Sequence, residues 1–381
     1  SVLSNLGLTR FHQGRFEDAA THLRAAAQAD PNEPSTWVAL ARCLGQLGEP
    51  AEALDALTRA LALDEGIAEA WSLRGNLLRE ARRLPEAAQC FERALALGAD
   101  PELHRYFLAA VTGGEAPDRP PRAYVETLFD DYADSFQQHL VASLRYQGPQ
   151  RLVQLLQAQG VARFDAALDL GCGTGLCGAL LRPCCDSLTG VDLSERMVTQ
   201  ARASGHYDTL QHADVVEALD GAPQRFDLVI AADVFIYVGR LESVFEGVAK
   251  VLRPGGWLAF TVERAPDEHD VLLLPSLRHA HSAPYLSRLA QAHGLQLLAG
   301  FFALVGHMAG CTDHFFEHRG NLFQRFGLLN LPHHVESAIA GVGFGFVKSV
   351  NSREAIVQHI NDGHHFESTR RVIHGRLSEL D

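Results

Sequence analysis

The sequence predicts two kinds of folded unit in one chain of 381 residues: an all-α array first, then an α/β domain with a parallel sheet. The first observation is a repeat, because Trp37 and Trp71 stand 34 positions apart and small residues recur around them at the same interval. The second is a change of pattern at Tyr124, after which short apolar runs alternate with amphipathic segments. Such alternation is typical of strands and helices that bury a sheet on both faces.

The composition is that of a globular protein with more than one domain. A chain of this length exceeds what a single ordinary core supports, and 47% hydrophobic residues can fill a large interior. The net charge of −13 argues against a nucleic-acid surface. The longest apolar runs fall short of the roughly 20 residues that span a bilayer. Neither a nucleic acid nor a membrane is therefore an expected partner.

Cysteine usage bears on the compartment and on metal content. The seven cysteines are scattered and lack the paired spacing of a metal site. No apolar signal segment opens the sequence. We therefore expect a reduced, cytoplasmic protein without a bound metal ion. Because Ser1 falls inside a repeat, we also expect the natural start of the chain to be missing.

The N-terminal periodicity defines three units. Residues recur at multiples of 34 positions as follows: Ala19, Ala53 and Ala87; Leu23, Leu57 and Phe91; Ala26, Ala60 and Ala94; and Gly7 with Gly75. This pattern resembles the tetratricopeptide repeat, with three repeats covering residues 1–100. The resemblance implies paired helices and a concave groove for a protein or peptide partner. The alternative is a stabilising or oligomerising appendage whose groove is occupied within the chain.

A domain boundary follows the third repeat. Within residues 101–121, Pro101–Thr112 is predicted to form a capping helix, and Gly113–Pro121 has the composition of a linker. Residues 122–300 form the predicted α/β domain. Its candidate strands are Ala166–Leu170, Leu188–Val191, Phe226–Ala232, Trp257–Val262 and Leu295–Phe302.

A glycine loop after the first of these strands is the most informative local motif. It reads DLGCGTG over Asp169–Gly175, and its glycines allow a tight turn and close approach of the backbone to a ligand. The loop lacks the third glycine of the dinucleotide fingerprint, which favours a ligand without pyrophosphate. Asp192 ends the next strand, where a carboxylate can accept hydrogen bonds from both ribose hydroxyls. The alternative for Asp192 is a helix cap before Ser194.

Five motifs in order, DLGCGTG, GVDLS, HADV, FDLVIAADVFIYV and LRPGGWLAFTVE, resemble those of class I S-adenosylmethionine-dependent methyltransferases. The resemblance covers about residues 1–298 and points to a bacterial subfamily of predicted methyltransferases that carry tetratricopeptide repeats. It implies a Rossmann-like seven-stranded sheet, with S-adenosyl-L-methionine as cofactor. It also implies these cofactor-binding residues: Asp169, Gly171, Gly173, Gly175, Asp192, Leu193, Ala213, Asp214, Asp233 and Tyr132.

The resemblance assigns parts of the cofactor to these residues. The glycines would cradle its methionine part, Asp192 would hold the ribose, and Ala213 with Asp214 would face the adenine. Asp169 would meet the amino group or position the loop, whereas Asp214 could equally be a turn residue. Tyr132 and Phe136, four apart on a predicted helix, would close over the cofactor as a lid or else pack that helix on the core.

Methyl transfer requires positioning of the acceptor and, for a protonated acceptor, a base. The candidate catalytic residues are His279, His281 and Glu263, which follow strand ends where open parallel sheets bind ligands. The histidines alternate in RHAHS, so both would project to one side of an extended segment. The alternative is a surface loop whose histidines are satisfied by water.

The last 81 residues, 301–381, are atypical, because they hold nine of the 19 histidines but only five alanines. The family pattern requires a final antiparallel strand between the fifth and sixth, for which Gly341–Val350 is the candidate. We expect the tail to lie outside the catalytic machinery; the alternative is a long insertion that ends in this strand. His314–His318 matches a zinc-peptidase signature, with His364 and His365 nearby in sequence, but lacks the context of a metal site.

Two classes of function fit the sequence. One is an enzyme that transfers a methyl group to a small molecule or a protein. The other is a scaffold whose repeats recruit a partner while the α/β domain binds cofactor without turnover. Nucleic-acid methylation is disfavoured, since residues 233–236 read DVFI where enzymes that act on flipped bases carry an Asn/Asp-Pro-Pro-aromatic tetrapeptide.

Overall fold

The structure, a computed structural model, describes residues 1–115, 117–138, 147–221, 226–302 and 342–349. Side chains are not described for residues 131, 132, 134–138, 297–302 and 342–349. Within these ranges the chain forms a helical array followed by an α/β domain, as predicted. None of the described helices is long and apolar enough to cross a membrane.

Three consecutive helix pairs build the array. The helices are α1 (Val2–His12), α2 (Phe16–Ala29), α3 (Pro34–Gln46), α4 (Pro50–Leu63), α5 (Ala68–Glu80) and α6 (Leu84–Ala96). The recurring glycines let paired helices approach closely: a Cβ at Gly75 would lie 2.5 Å from the ring of Phe91, and one at Gly7 would lie 2.7 Å from Leu23. The sequence repeat is therefore a packing repeat.

The capping helix is α7 (Pro101–Thr112), with the predicted bounds. Its first turn is fixed by Asp100, whose carboxylate accepts a hydrogen bond from the Leu103 amide at 2.8 Å. The rings of Phe91 and Phe107 lie 5.1 Å apart and join α7 to the last repeat. The array is thus extended by a seventh helix, which lies next to the α/β domain.

The segment predicted as a linker is bonded to the α/β domain. The Asp118 carbonyl accepts hydrogen bonds from the amides of Gly239 at 3.0 Å and Arg240 at 3.1 Å. A Cβ at Gly239 would lie 2.5 Å from this carbonyl oxygen, so the contact requires glycine. The linker therefore fixes the repeats against the turn that follows the fourth strand.

Seven strands form the main sheet, and two short strands form a hairpin beside it. In chain order they are β1 (Phe164–Leu170), β2 (Cys185–Asp192), β3 (Thr209–His212), β4 (Phe226–Ala231), β5 (Leu252–Arg264), β6 (Val271–Leu273), β7 (His279–His281), β8 (Leu295–Phe302) and β9 (Val342–Ser349). The main order is β3-β2-β1-β4-β5-β9-β8, with β1 to β5 parallel. The hairpin of β6 and β7 pairs with the end of β5. All five predicted strands are present.

Helices cover both faces of this sheet. They are α8 (Arg122–Gln138), α9 (Gly148–Ala158), α10 (Leu176–Leu181), α11 (Glu195–Ser204), α12 (Val215–Gly221), α13 (Glu242–Val251) and α14 (Ala283–Ala292). On β4, Leu228 and Ile230 belong to one apolar core, and Val229 and Ala231 belong to the other. Burial on both faces explains why this strand is a continuous apolar run rather than an alternating one.

The last strand corrects the prediction made for the tail. β9 lies antiparallel between β5 and β8, with residue Phe346 opposite Ala259 and Ala299. The expectation that the tail stands apart from the sheet is wrong here, and the alternative that places the final strand at residues 341–350 agrees with the backbone. The pairing satisfies backbone groups on the inner edges of β5 and β8, which a sheet cannot leave buried and unpaired.

The rest of the tail, residues 303–341 and 350–381, lies outside the described residues. This includes the zinc-peptidase-like run His314–His318 and the pair His364 and His365. In the part of the chain that is described, no group of three or more potential ligands could hold a metal ion.

We expect Gly75→Val to lower the free energy of unfolding of the array by about 1–3 kcal/mol, because the added side chain must displace the Phe91 ring. Denaturant unfolding followed by circular dichroism measures the effect. Gly221→Ala is the matched control, since a Cβ there meets nothing within 4 Å. The double variant Gly75→Val with Phe91→Leu should recover part of the loss; equal stability of Gly75→Val and wild type would contradict the packing role.

Candidate active site

The glycine loop connects β1 to α10 in a conformation that other residues rarely adopt. The φ angles of Gly171, Gly173 and Gly175 are 65°, 53° and 98°, all in the left-handed region. A Cβ at Gly171 would also lie 2.3 Å from the Val234 side chain, so this glycine is required for packing against the segment after β4. The loop therefore presents backbone rather than side chains at the carboxyl ends of the strands.

Asp192 connects this loop to the end of β2. Its carboxylate accepts hydrogen bonds from the amide of Gly173 at 2.8 Å and from that of Ser194 at 2.9 Å. Burial raises the pKa of Asp192 to about 6, although both amide bonds act in the opposite direction. The cap of α11 is Ser194, whose hydroxyl accepts a hydrogen bond from the Met197 amide. The helix-cap alternative for Asp192 is therefore not what the structure shows.

Asp169 lies beneath the glycine loop and is 1% exposed. One carboxylate oxygen accepts a hydrogen bond from the Tyr207 hydroxyl at 2.7 Å, and the other has no partner among the described residues. Burial raises the pKa of Asp169 to about 7. The hydrogen bond from Tyr207 acts to lower this pKa, whereas the charge of Asp192 acts to raise it. The hydroxyl of Thr174 is likewise buried without a partner among the described residues. Buried acceptors of this kind are suited to the ammonium group of a ligand.

The residues expected to face an adenine lie beyond β3. The Ala213 amide donates to the Asp192 carbonyl at 3.0 Å, which ties this turn to β2. The Asp214 carboxylate accepts from the Val216 amide at 2.8 Å and lies 3.4 Å from Arg119 of the linker. One oxygen of Asp214 therefore fixes the start of α12, as the turn-residue alternative describes. Leu193 is half-buried and packs against the apolar core that includes residues of the array and α8.

Helix α8 crosses the strand ends above this region. Asp130 accepts a hydrogen bond from the Ser194 hydroxyl at 2.5 Å on the β2 side. The neighbouring Phe129 meets the Tyr237 ring edge-on at 5.1 Å on the β4 side. The side chains of Tyr132 and Phe136 lie outside the described residues, so the lid stays a prediction. The helix that carries them contacts the segments after β2 and β4 through Asp130 and Phe129.

A strained residue ends β4. Asp233 has a φ of 57°, unusual for a residue with a side chain. Its amide donates to the Thr261 hydroxyl at 2.7 Å, and that hydroxyl donates to the Asp233 carboxylate at 2.8 Å. Asp233 is half-buried, and its neighbour Val234 lies against Gly171 of the glycine loop.

Glu263 ends β5 and forms a buried ion pair with Arg278. The Arg278 Nη1 donates to Glu263 Oε1 at 2.8 Å, and the two side chains are 9% and 5% exposed. Burial alone would lower the pKa of Arg278, but the charges of Glu263, Tyr237 and Asp233 outweigh it, and the pKa lies above its usual value. This end of the sheet therefore holds a fixed cation and two carboxylates close together.

The structure does not bring His279 or His281 to the surface of the site. Both are fully buried, and burial lowers the pKa of each to about 4. The His281 Nε2 lies 2.7 Å from the Gly239 carbonyl. They share one side of β7, as alternation predicts, but that side faces the packed turn after β4. The surface-loop alternative is contradicted by their burial, whereas the role of either ring as a base stays a prediction.

Sequence reasoning did not single out several residues of this site: Asp130, Thr174, Tyr207 and Thr261. The sequence gives indirect evidence for the position of Tyr207, through two glycines that face its ring. A Cβ at Gly178 in α10 would lie 2.6 Å from its ring, and one at Gly190 in β2 would lie 2.9 Å away. A glycine inside a helix and another inside a strand indicate the close approach of a bulky neighbour.

Comparison with known proteins agrees with this geometry. Residues 168–260 match the family described as methyltransferase domain, and residues 10–77 and 68–100 match tetratricopeptide repeats. The chain is 34% identical over 188 residues to a malonyl-[acyl-carrier protein] O-methyltransferase of Enterobacter lignolyticus, covering 47% of this chain and 70% of that enzyme. It is 30% identical over 117 residues to a ubiquinone biosynthesis O-methyltransferase of Hydrogenovibrio crunogenus, covering 30% of this chain and 48% of that enzyme.

Among solved structures, the N-methyltransferase NodS from Bradyrhizobium japonicum with bound S-adenosylhomocysteine is 17% identical, with a TM-score of 0.38 over 58% of this chain and 100% of that one.

The fold, the glycine loop and the relatives define an S-adenosylmethionine-dependent methyltransferase. The chain belongs to the class I family of these enzymes and carries tetratricopeptide repeats before the methyltransferase domain. The predicted family, fold and cofactor are confirmed. The chain spans 70% of the length of the first relative and about half of the second, so the acceptor is a separate question.

We expect Asp192→Ala to weaken binding of S-adenosylhomocysteine by about 1.5–3 kcal/mol, because hydrogen bonds to a charged group are lost. Isothermal titration calorimetry measures the affinity, and circular dichroism confirms the fold. Asp186→Ala is the control, since Asp186 lies on the same strand, is exposed and pairs with Arg163 instead. Unchanged affinity in folded Asp192→Ala would rule out the ribose assignment.

We also expect S-adenosylhomocysteine to bind more weakly at pH 5 than at pH 8. As pH falls through about 7, Asp169 takes up a proton and loses the charge that attracts the ligand's ammonium group. As pH falls through about 6, Asp192 takes up a proton and becomes a weaker acceptor for the ribose hydroxyls. Asp169→Asn should bind more weakly at pH 8 and show a flatter pH dependence. The same affinity of wild type at both pH values, with the fold intact, would show that the charges of the two carboxylates do not contribute to binding.

Proposed function

We propose that this enzyme methylates an oxygen of a carboxylate acceptor, present on a small acid or on a carrier protein, in the cytoplasm. Both relatives described above are O-methyltransferases by name, and the first acts on a malonyl group held by a carrier protein. The burial of His279 and His281 is the structural observation that carries the proposal. Membership of a catalytic family favours turnover over the scaffold alternative.

The protein groups that would hold the cofactor surround the glycine loop. The backbone of Gly171, Gly173 and Gly175 would cradle its methionine part, and the unpartnered oxygen of Asp169 would accept from its amino group. Asp192 would hold the ribose, with its carboxylate already oriented by two amides.

The remaining positions of the cofactor site follow from the same arrangement. Leu193, Ala213 and Asp214 would flank the adenine at the end of β3. Asp233 and the helix that carries Tyr132 would border the side from which the acceptor enters. The unsatisfied buried acceptors fit a cationic ligand, since each would otherwise cost free energy without compensation.

The choice of acceptor depends on whether the acceptor must lose a proton when it is methylated. S-adenosylmethionine, when bound, would supply a methyl group from a positively charged sulfur, and the sulfur would keep the electron pair of the broken carbon–sulfur bond. An amine or phenol must also lose a proton, and the two buried histidines, whose pKa is lowered to about 4, are weak acceptors for it. A carboxylate is already ionised at neutral pH, so its lone pair forms the new bond and no proton moves.

The charged residues at the end of β5 suit such an acceptor. Arg278 presents a planar guanidinium, which matches the geometry of a carboxylate and already binds Glu263. An acceptor carboxylate would share this cation with Glu263. Exclusion of water at a site this deeply buried strengthens the attraction and leaves the nucleophile less hydrated.

The experiment combines an identified and an unidentified acceptor. Radiolabelled S-adenosylmethionine is incubated with the enzyme and either malonyl-loaded acyl carrier protein or a bacterial lysate, and the product is treated with mild alkali. We expect label that alkali releases as methanol, as from a methyl ester. Label that survives alkali would show transfer to nitrogen or to a phenol and would contradict the proposal.

A variant tests the role of the cation in the same assay. We expect Arg278→Lys to retain part of the transfer and Arg278→Met to lose at least about tenfold, roughly 1.4 kcal/mol of transition-state stabilisation. Affinity for S-adenosylhomocysteine should not change in either variant. Because Arg278→Met leaves Glu263 buried without its cation, the double variant with Glu263→Gln controls for folding.

A further inference from the structure

The repeat array binds a segment of the methyltransferase domain at its C-terminal end. We call this segment, residues 274–278 between β6 and β7, the hairpin loop. Arg79 of α5 has a side chain that is 1% exposed, and its Nη1 donates a hydrogen bond to the Pro275 carbonyl at 2.7 Å. Tyr106 of α7 donates from its hydroxyl to the Leu277 carbonyl at 2.8 Å. Both bonds are buried or nearly so, and both cross from the array to the catalytic domain.

The hairpin loop is held in a specific conformation. The Leu274 amide donates to the Arg278 carbonyl at 2.8 Å, and the Leu277 amide donates to the Leu274 carbonyl at the same distance. Leu277 has a φ of 64°, a conformation that costs free energy for a branched side chain. Such a conformation persists only where surrounding contacts hold it in place. One of these contacts comes from the array, through the hydrogen bond from Tyr106 to the Leu277 carbonyl.

Apolar packing continues across the same boundary. Leu273 and Leu277 belong to one core with Phe107 of the array. Ile236 and Tyr237, in the turn after β4, belong to that core as well. The array, the hairpin and the turn beside the acceptor therefore share a single apolar interior.

The other end of the hairpin loop lies in the acceptor region. Arg278, its last residue, pairs with Glu263 at the end of β5. β7 begins at the next residue and pairs with β5, so that Ala280 lies opposite Glu263. A displacement of the loop by the array would thus move the cation of the acceptor site directly.

The chemistry of Arg79 indicates a role in orientation. A buried guanidinium is costly, and within the array its partners are Glu80, in an ion pair at 3.1 Å, and Asn76, whose Oδ1 accepts from Nε at 3.4 Å. An apolar side chain could fill this position at lower cost. An arginine instead adds a directed bond to one carbonyl of the hairpin loop, which fixes geometry rather than merely filling volume.

We propose that the array is a positioning element of the methyltransferase: Arg79 and Tyr106 fix the hairpin loop and thereby orient Arg278 at the acceptor site. The C-terminal end of the array is then covered within the chain, by a segment of its own catalytic domain. The role assigned to Arg278 rests on the proposed function, whereas the docking of the loop does not.

Hydrogen exchange measured by mass spectrometry on the full chain tests the docking. In Tyr106→Phe and Arg79→Met, we expect amides of residues 271–281 to exchange about three- to tenfold faster, as expected for the loss of one hydrogen bond. Peptides that cover residues 169–178, and affinity for S-adenosylhomocysteine, should be unchanged. Arg79→Lys, which keeps a donor, should restore part of the protection.

The matched control is Arg42→Met, which removes an arginine of the array whose ion pair with Glu69 stays within the array. In this variant the amides of residues 271–281 should exchange at the wild-type rate. The proposal is overturned if residues 271–281 exchange at the wild-type rate in both Tyr106→Phe and Arg79→Met. It is also overturned if exchange in residues 169–178 is accelerated equally, because that would indicate general destabilisation.

Transfer to the acceptor supplies a second readout. With whichever acceptor the labelling assay identifies, Tyr106→Phe should raise KM or lower kcat at least threefold while cofactor affinity stays constant. Faster exchange of the loop together with alkali-stable label would uphold the docking and reject the carboxylate acceptor. Faster exchange without any change in transfer would reject the coupling to Arg278.

Discussion

The cofactor site depends on one carboxylate that binds two backbone amides. Asp192 joins the glycine loop after β1 to the turn after β2, and its two donors, Gly173 and Ser194, lie just beyond the last paired residues of these parallel strands. Burial of this charge is unfavourable, and the two amides offset only part of the cost, so its pKa stays high. Burial likewise raises the pKa of Asp169, which lies beneath the loop. Two poorly solvated acids therefore stand where a cationic ligand is to bind, and the ligand supplies the compensation that the protein lacks.

The parts of this structure that the sequence predicts are those encoded locally. The glycine loop, Asp192 and the strands around them follow from spacing within a short stretch, and the helix pairs follow from small residues that recur at 34-residue intervals. What escaped prediction depends on packing between distant segments. His279 and His281 were placed on one side of a strand correctly, but nothing local indicates that this side is covered by the turn at Gly239 and the linker. The tail was misjudged because composition was given more weight than the unpaired strand edges.

The boundary between repeats and enzyme is a further case in which composition misleads. Proline, glycine and charge are typical of a free linker, yet Asp118 bonds two amides of the methyltransferase domain and Arg119 approaches Asp214. With Arg79 and Tyr106 on the other side of the hairpin, the array contacts the domain through separate chain segments. Repeats that could act as an independent module are instead built into one continuous core, which limits how freely the two parts can move against each other.

The position of β9 in the sheet has a consequence for how the chain is made. β5 leaves the ribosome long before its antiparallel neighbour, since Trp257 pairs with Lys348. During that interval the inner edges of β5 and β8 have no strand between them, and exposed strand edges are templates for association with other chains. Pairings this distant in sequence also make folding slow, because loop closure must precede the contacts that stabilise it. Folding during synthesis can therefore complete the repeats and the first four strands early, whereas the sheet stays open until β9 has been translated.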